Sequence, residues 1–196
     1  MIGRATTLAL ACSAGCAAAQ HTMQWRWTVG DTGDGDGVIT PGESALLALH
    51  ARWGGEDAVG FAGSVFDVLG EALWATGGLS VEAWNDALLS LGDLTPQANN
   101  DILAIDAFQQ PPHFNAGFDA SDPVWLFTLR WNPDGYAARV VAGGTTHLNH
   151  TVYTDEFGAS KDLAGQVEGF SFEVVPGPGT AVVLLAGAGC WGRRRR

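Results

Sequence analysis

Asp34, Asp36 and Glu43 bring three carboxylates onto one glycine-rich stretch, Asp31-Thr32-Gly33-Asp34-Gly35-Asp36-Gly37-Val38-Ile39-Thr40-Pro41-Gly42-Glu43. Carboxylate oxygens crowded on a turn repel one another and are the ligands that a hard cation such as calcium takes. Aligned as a calcium-binding loop, Asp34 and Asp36 fill the third and fifth ligand positions and Gly37 the sharp turn. Ile39 then fills the apolar position and Glu43 the bidentate last position. Thr32 stands first, where an Asp is usual, and Asp31 is one residue out of register. The pattern therefore predicts either a weak calcium site at Asp34, Asp36 and Glu43 or a solvated acidic turn held by its glycines.

Other chemistry is sparsely provided. His147 and His150 form a close histidine pair, but Thr145, Thr146, Thr151, Val152 and Tyr153 favour a strand, on which residues three apart face opposite ways and cannot share an ion. His50 and His113 stand alone. There is no Gly-x-Ser-x-Gly elbow, since Phe61-Ala62-Gly63-Ser64-Val65 lacks its first glycine, and no His-Glu-x-x-His or phosphate loop. Carboxylates are so numerous that no pair of them singles itself out for hydrolysis. Cys12, Cys16 and Cys190 lie near the chain ends and none lies between, so the middle has no disulfide, thiolate metal site or cysteine nucleophile. Trp25, Trp27, Trp53, Trp125 and Trp131 offer a face on which sugar rings could stack, although aromatics at alternating strand positions more often point into a core.

The elements that carry these residues follow from period and charge. The chain has 196 residues, room for one domain once its ends are set aside. Of its 10 basic residues, Arg4 and Arg193 to Arg196 sit at the ends, leaving 5 in the middle against all 21 carboxylates, a net −16 for residues 20–174. Such a surface repels phosphate backbones, so nucleic acid is excluded as an ordinary partner. Alternation marks strands at 24–29, with Trp25, Trp27 and Val29 on one face, and at 124–131, with Trp125, Phe127, Leu129 and Trp131 on one face. The segments 59–68, 100–108, 136–142, 147–153 and 167–174 share that form, separated by turns such as Asn132-Pro133-Asp134-Gly135. About eight strands so spaced predict an all-β, antiparallel β-sandwich. Val81, Trp84, Leu88 and Leu91 fall at helical spacing behind Ser80, which predicts one short helix over 80–91. After the acidic stretch, Thr40-Pro41-Gly42-Glu43 has the form of a capping box, yet Leu47, Leu49, Ala51 and Trp53 alternate as a strand.

Between Asp34 and Glu43 the sequence resembles the Gly-Asp-Gly then Pro-Gly-Glu opening of many bacterial surface β-sandwich modules, which implies the strand reading. The ends carry a second resemblance. Residues 1–19 read as a signal peptide, with one early charge, an apolar run and small residues up to Ala19. At the other end Val175-Pro176-Gly177-Pro178 is followed by an uncharged run from Thr180 to Gly192 and by Arg193, Arg194, Arg195 and Arg196. This layout resembles the PEP-CTERM sorting tail, departing from its Val-Pro-Glu-Pro motif at Gly177. The resemblance implies that an exosortase-type enzyme recognises residues 175–196 in the inner membrane and that the body, residues 20–174, passes to the cell surface or matrix. A permanent single-span anchor is the other reading of the tail.

Together these readings predict a secreted, surface-directed, non-enzymatic protein with a structural or adhesive role in the bacterial envelope or extracellular matrix, with no cofactor beyond the calcium in question. A carbohydrate-binding module with extracellular polysaccharide as partner is the alternative, and a secreted hydrolase the second alternative.

Overall fold

A computed structural model describes residues 22–53, 57–146, 149–166 and 168–177, and these form two packed β-sheets. The expected signal peptide, the uncharged run, Pro178, the terminal arginines and His147 lie outside the described residues. Among the described residues, no helix is long and apolar enough to cross a membrane.

The acidic stretch separates β1 (Thr22–Asp31) from β2 (Val38–Ile39), and β3 (Ala45–Trp53) follows it. β4 (Gly60–Gly70), β5 (Gly77–Trp84), β6 (Ile102–Phe108), β7 (Val124–Pro133) and β8 (Arg139–Thr145) carry the chain back and forth between the layers. β9 (Asn149–Tyr153), β10 (Ser160–Asp162), β11 (Ala164–Gln166) and β12 (Gly169–Val174) complete it. One sheet has the order β11-β1-β3-β7-β5, and the other β10-β9-β4-β8-β12-β2, with β6 also paired to β4. Pairing is antiparallel except where β11 joins β1 and β2 joins β12. The expected all-β sandwich is therefore present. The short strands β2, β10 and β11 carry too few residues to show a period.

Alternation fills the space between the sheets. Trp25, Leu47, Leu49, Phe127, Leu129 and Trp131 of one sheet are buried against Phe61, Phe66, Ile105, Val141 and Phe172 of the other. Aromatic rings meet across the seam, as where Trp27 stands edge-on to Phe170 at 4.9 Å and Trp131 to Phe172 at 5.1 Å.

Two bulges alter which residues face inward. Between Leu49 and His50 the β3–β7 register shifts, so that Phe127 lies opposite Leu49 while Trp125 lies opposite His50. Leu126 and Phe127 are consequently both buried, and Trp125 leaves the buried face that simple alternation assigned to it. The second bulge corrects the expected helix over 80–91. Residues up to Trp84 form β5, with Val81 opposite Leu129 and Trp84 opposite Phe127 and a register shift between Val81 and Ala83. The extra residue puts Val81 and Trp84, three apart, on the same side of a strand, which imitates helical spacing. Ser80 pairs with Arg130 of β7 and caps nothing.

Candidate functional site

The acidic loop is organised around Asp31. The residue is only 7% exposed, and its carboxylate accepts amide hydrogens from Gly33 at 2.7 Å, Gly35 at 3.0 Å and Gly37 at 2.8 Å. The amides of Gly35 and then Gly37 are the main reason its carboxyl is held below the usual carboxylate range. Asp34 accepts from the Asp36 amide at 3.2 Å, and Asp36 from the Val38 amide at 2.7 Å. Gly35 and Gly37 take φ of 82° and 78°, the left-handed conformation that such a tight winding demands.

The structure brings Asp34 and Asp36 together and adds Asp31: one oxygen from each lies within 4.8 Å of the others. Glu43 is not among these three, although it packs against the same loop. Its Oε2 accepts from the Thr40 amide at 2.9 Å and from the Thr40 hydroxyl at 2.7 Å, so the carboxylate half of a capping box forms although a strand follows, while the Glu43 amide donates to the Thr40 carbonyl. Its other oxygen packs over Gly33, where an added side chain would have to displace it. Thr32 bonds through its hydroxyl to the Ser44 amide at 3.0 Å. The clustered donors are all carboxylate oxygens, the set a hard cation takes, and Asp31, Asp34 and Asp36 are the residues that could hold one. The signal that could have found Asp31 is the run of glycines at 33, 35 and 37, each two apart, whose amides converge on one acceptor.

Of the histidine pair the structure describes His150, which is held within the core. His150 is 1% exposed; its Nε2 accepts from the Trp25 indole N–H at 3.2 Å, and its Nδ1 lies 2.5 Å from the Ser64 hydroxyl. With Nε2 occupied as an acceptor, neutral imidazole carries its proton on Nδ1 and donates to Ser64. A ring so bonded has no lone pair with which to activate that hydroxyl. Trp25, Trp27, Trp53 and Trp131 are buried as well, so four of the five tryptophans belong to the core and Trp125 alone of the row is half-buried.

An exposed apolar site lies instead beside β5, the last strand of its sheet among the described residues. Val81, Trp84, Leu91, Gly92 and Leu94 line a groove enclosing about 240 Å³. Trp84 is on the groove side of β5 yet 43% exposed. Its position is fixed from behind by Asn85, whose amide donates to the Leu126 carbonyl at 2.9 Å. The Asn85 side chain donates to Asp119 at 2.7 Å and to the Trp125 carbonyl at 2.8 Å. Burial works against the charge of Asp119, but hydrogen bonds from Ser121 and Asn85 outweigh it and hold the carboxyl low. On the facing wall the Leu91 carbonyl accepts from the Asp106 amide of β6 at 3.3 Å. Gly92, at φ 67°, then turns the chain so that Leu94 also faces the groove. A second exposed apolar cluster gathers Phe114 and Phe157 around His113, with ring centroids 5.0 and 4.7 Å from the imidazole.

No protein-family model and no curated protein sequence matches the chain. Solved structures do resemble it. The fold is similar to that of the cohesin module from a Clostridium perfringens family 33 glycoside hydrolase, with a TM-score of 0.50 and 13% identity over 80% of this chain and 99% of that one. A weaker likeness, with a TM-score of 0.48 and 9% identity over 78% of this chain and 90% of the other, is to the seventh ScaB type I cohesin of Pseudobacteroides cellulosolvens. At such identities it is the fold that is shared: a cohesin-like β-sandwich.

Proposed function

We propose that this chain is a secreted, surface-directed, non-enzymatic binding module with a structural or adhesive role in the bacterial envelope or extracellular matrix. The observation that carries the reading is the exposed apolar groove at the margin of β5, where Trp84 is held half in solvent by a buried hydrogen-bonded support. A large aromatic kept exposed on a rigid base gives a partner much contact area at little cost in ordering. The bonding of Ser64 to His150, and of His150 to Trp25, supports a binding role over hydrolysis. The PEP-CTERM-like tail supports delivery to the surface through an exosortase-type enzyme acting on residues 175–196 in the inner membrane.

The test is to express the full chain in a bacterium with an exosortase. Antibody access on intact cells and mass spectrometry of the mature carboxyl end are then compared with a variant carrying Arg193 to Arg196 as alanines. Surface display of a chain shortened at the tail is expected, and loss of display in the variant. A chain that stays inside the cell rejects the surface role, and a displayed chain retaining Arg196 rejects cleavage.

The carbohydrate-binding reading draws support from the exposed His113, Phe114 and Phe157 cluster, with Phe114 and Phe157 64% and 59% exposed. Retention of the chain on extracellular polysaccharide that is lost in Phe114→Ala and kept in Trp84→Ala would favour it.

A further inference from the structure

The groove of β5 has a chemistry that narrows its partner. Among the described residues β5 pairs along the sheet only with β7, so its outer edge presents backbone amides and carbonyls with no neighbouring strand. Val81 and Trp84 stand on the groove side of that edge, while Leu91 and Leu94 form the opposite wall. A further strand laid along this edge would alternate its side chains, every second one dropping between the walls.

The rim is acidic. Asp86 and Asp93 lie on the segment that joins the walls, Asp106 bonds to it through its amide, and all three are exposed. The cation nearest along the sheet is Arg130, which is held bidentately by Glu82 at 2.8 and 2.7 Å. Arg139 is bound by Gly135, Ala137 and Thr76 carbonyls, and Lys161 lies 3.7 Å from Asp57. Arg26 and Arg52 are on β1 and β3, three and two strands away. Among the described residues the negative charge of the rim is therefore unmatched, and it would repel the same rim, and the same Glu82, on a second copy of this chain.

We infer that the β5 edge and its groove receive an extended segment of a partner protein that carries alternating apolar residues and flanking lysines or arginines, added to the sheet as a further strand. This rests on the binding reading above and deepens it by naming the partner's chemistry.

The test uses the full chain and a short capped peptide of alternating valine and threonine with a lysine at each end. A second peptide carries glutamates in place of the lysines. Saturable binding of the lysine peptide is expected, with slowed amide exchange confined to residues 77–84 and the facing segment. Binding should weaken roughly tenfold in Trp84→Ala, as loss of an aromatic anchor does, and weaken further as salt is raised. Asp86→Lys with Asp93→Lys, two exposed changes, should reverse the preference between the peptides. Equal binding of both peptides by the unmutated chain, protection elsewhere than β5, or a dimer lost in Trp84→Ala would each overturn the proposal. Those outcomes leave surface display untouched, so failure here is distinguishable from failure of the general role.

Discussion

The carboxylate of Asp31 accepts from three glycine amides, and that concentration of donors ties the loop to pH. Its folded pKa is depressed, so its contribution is present above the unfolded value of about 4 and lost as pH falls through the folded value. Asp155, which accepts from Ala159, Phe157 and Gly158, has the same sign. Thermal melts from about pH 6 down to about pH 2 should show a falling midpoint. Asp31→Asn should lower that midpoint at neutral pH and flatten the acid slope; an unchanged slope would place the acid sensitivity in other groups. We further propose that calcium binds weakly here. Millimolar calcium should then add about 1 kcal/mol of stability, as mass action gives for a dissociation constant of roughly 10⁻⁴ M. A midpoint indifferent to calcium and chelator rejects the site, and a shift retained in Asp36→Ala moves it elsewhere. The loop was legible in the sequence as an acidic turn, yet its organising residue was not. Register arithmetic counts ligands along the chain, whereas Asp31 is chosen by where three amides converge.

At the level of elements, the supports of the groove set its shape. Asn85 is buried and ties the end of β5 to β7 and to Asp119, so Asn85→Ala leaves the Trp125 carbonyl and the Ala87 amide without their partner. Loss of such a buried side chain costs about 1 to 3 kcal/mol, a fall in midpoint of roughly 2 to 10 °C for a chain of this size. Urea titration would check it, and a variant within error of the unmutated protein would mean that the turn holds without Asn85. The long alternating strands were legible because one side of each is buried, and Trp25 and Trp27 show it plainly. β5 was not, because its bulge sets Val81 and Trp84 three apart on one side and a free margin leaves the strand mostly exposed. Trp125 was misplaced for the same reason, a register shift that no local pattern announces.

For the molecule as a whole, the core of the described residues lies between the end segments: among those residues the buried side chains run from Met23 to Val174, and the Val175 amide donates to the Ile39 carbonyl at 2.9 Å. A chain cut after Gly177 should therefore stay soluble and keep its β circular dichroism and melting midpoint. Aggregation or loss of the β signal would show that the removed residues complete the fold. The absence of internal cysteines means that this stability should be indifferent to reductant, which the same melts can check.

Gly177 lies against Pro41, beside the acidic loop, while the groove lies at the far half of β5. Six positions along β7 separate Pro133, opposite the start of β5, from Phe127, opposite Trp84, a distance on the order of 20 Å. A load held between a partner in the groove and a tether beyond Gly177 would thus run lengthwise along the strands. It would meet β12 in shear, where all the residue pairs from Gly169↔Gly144 to Val174↔Arg139 must slip together before the first can part.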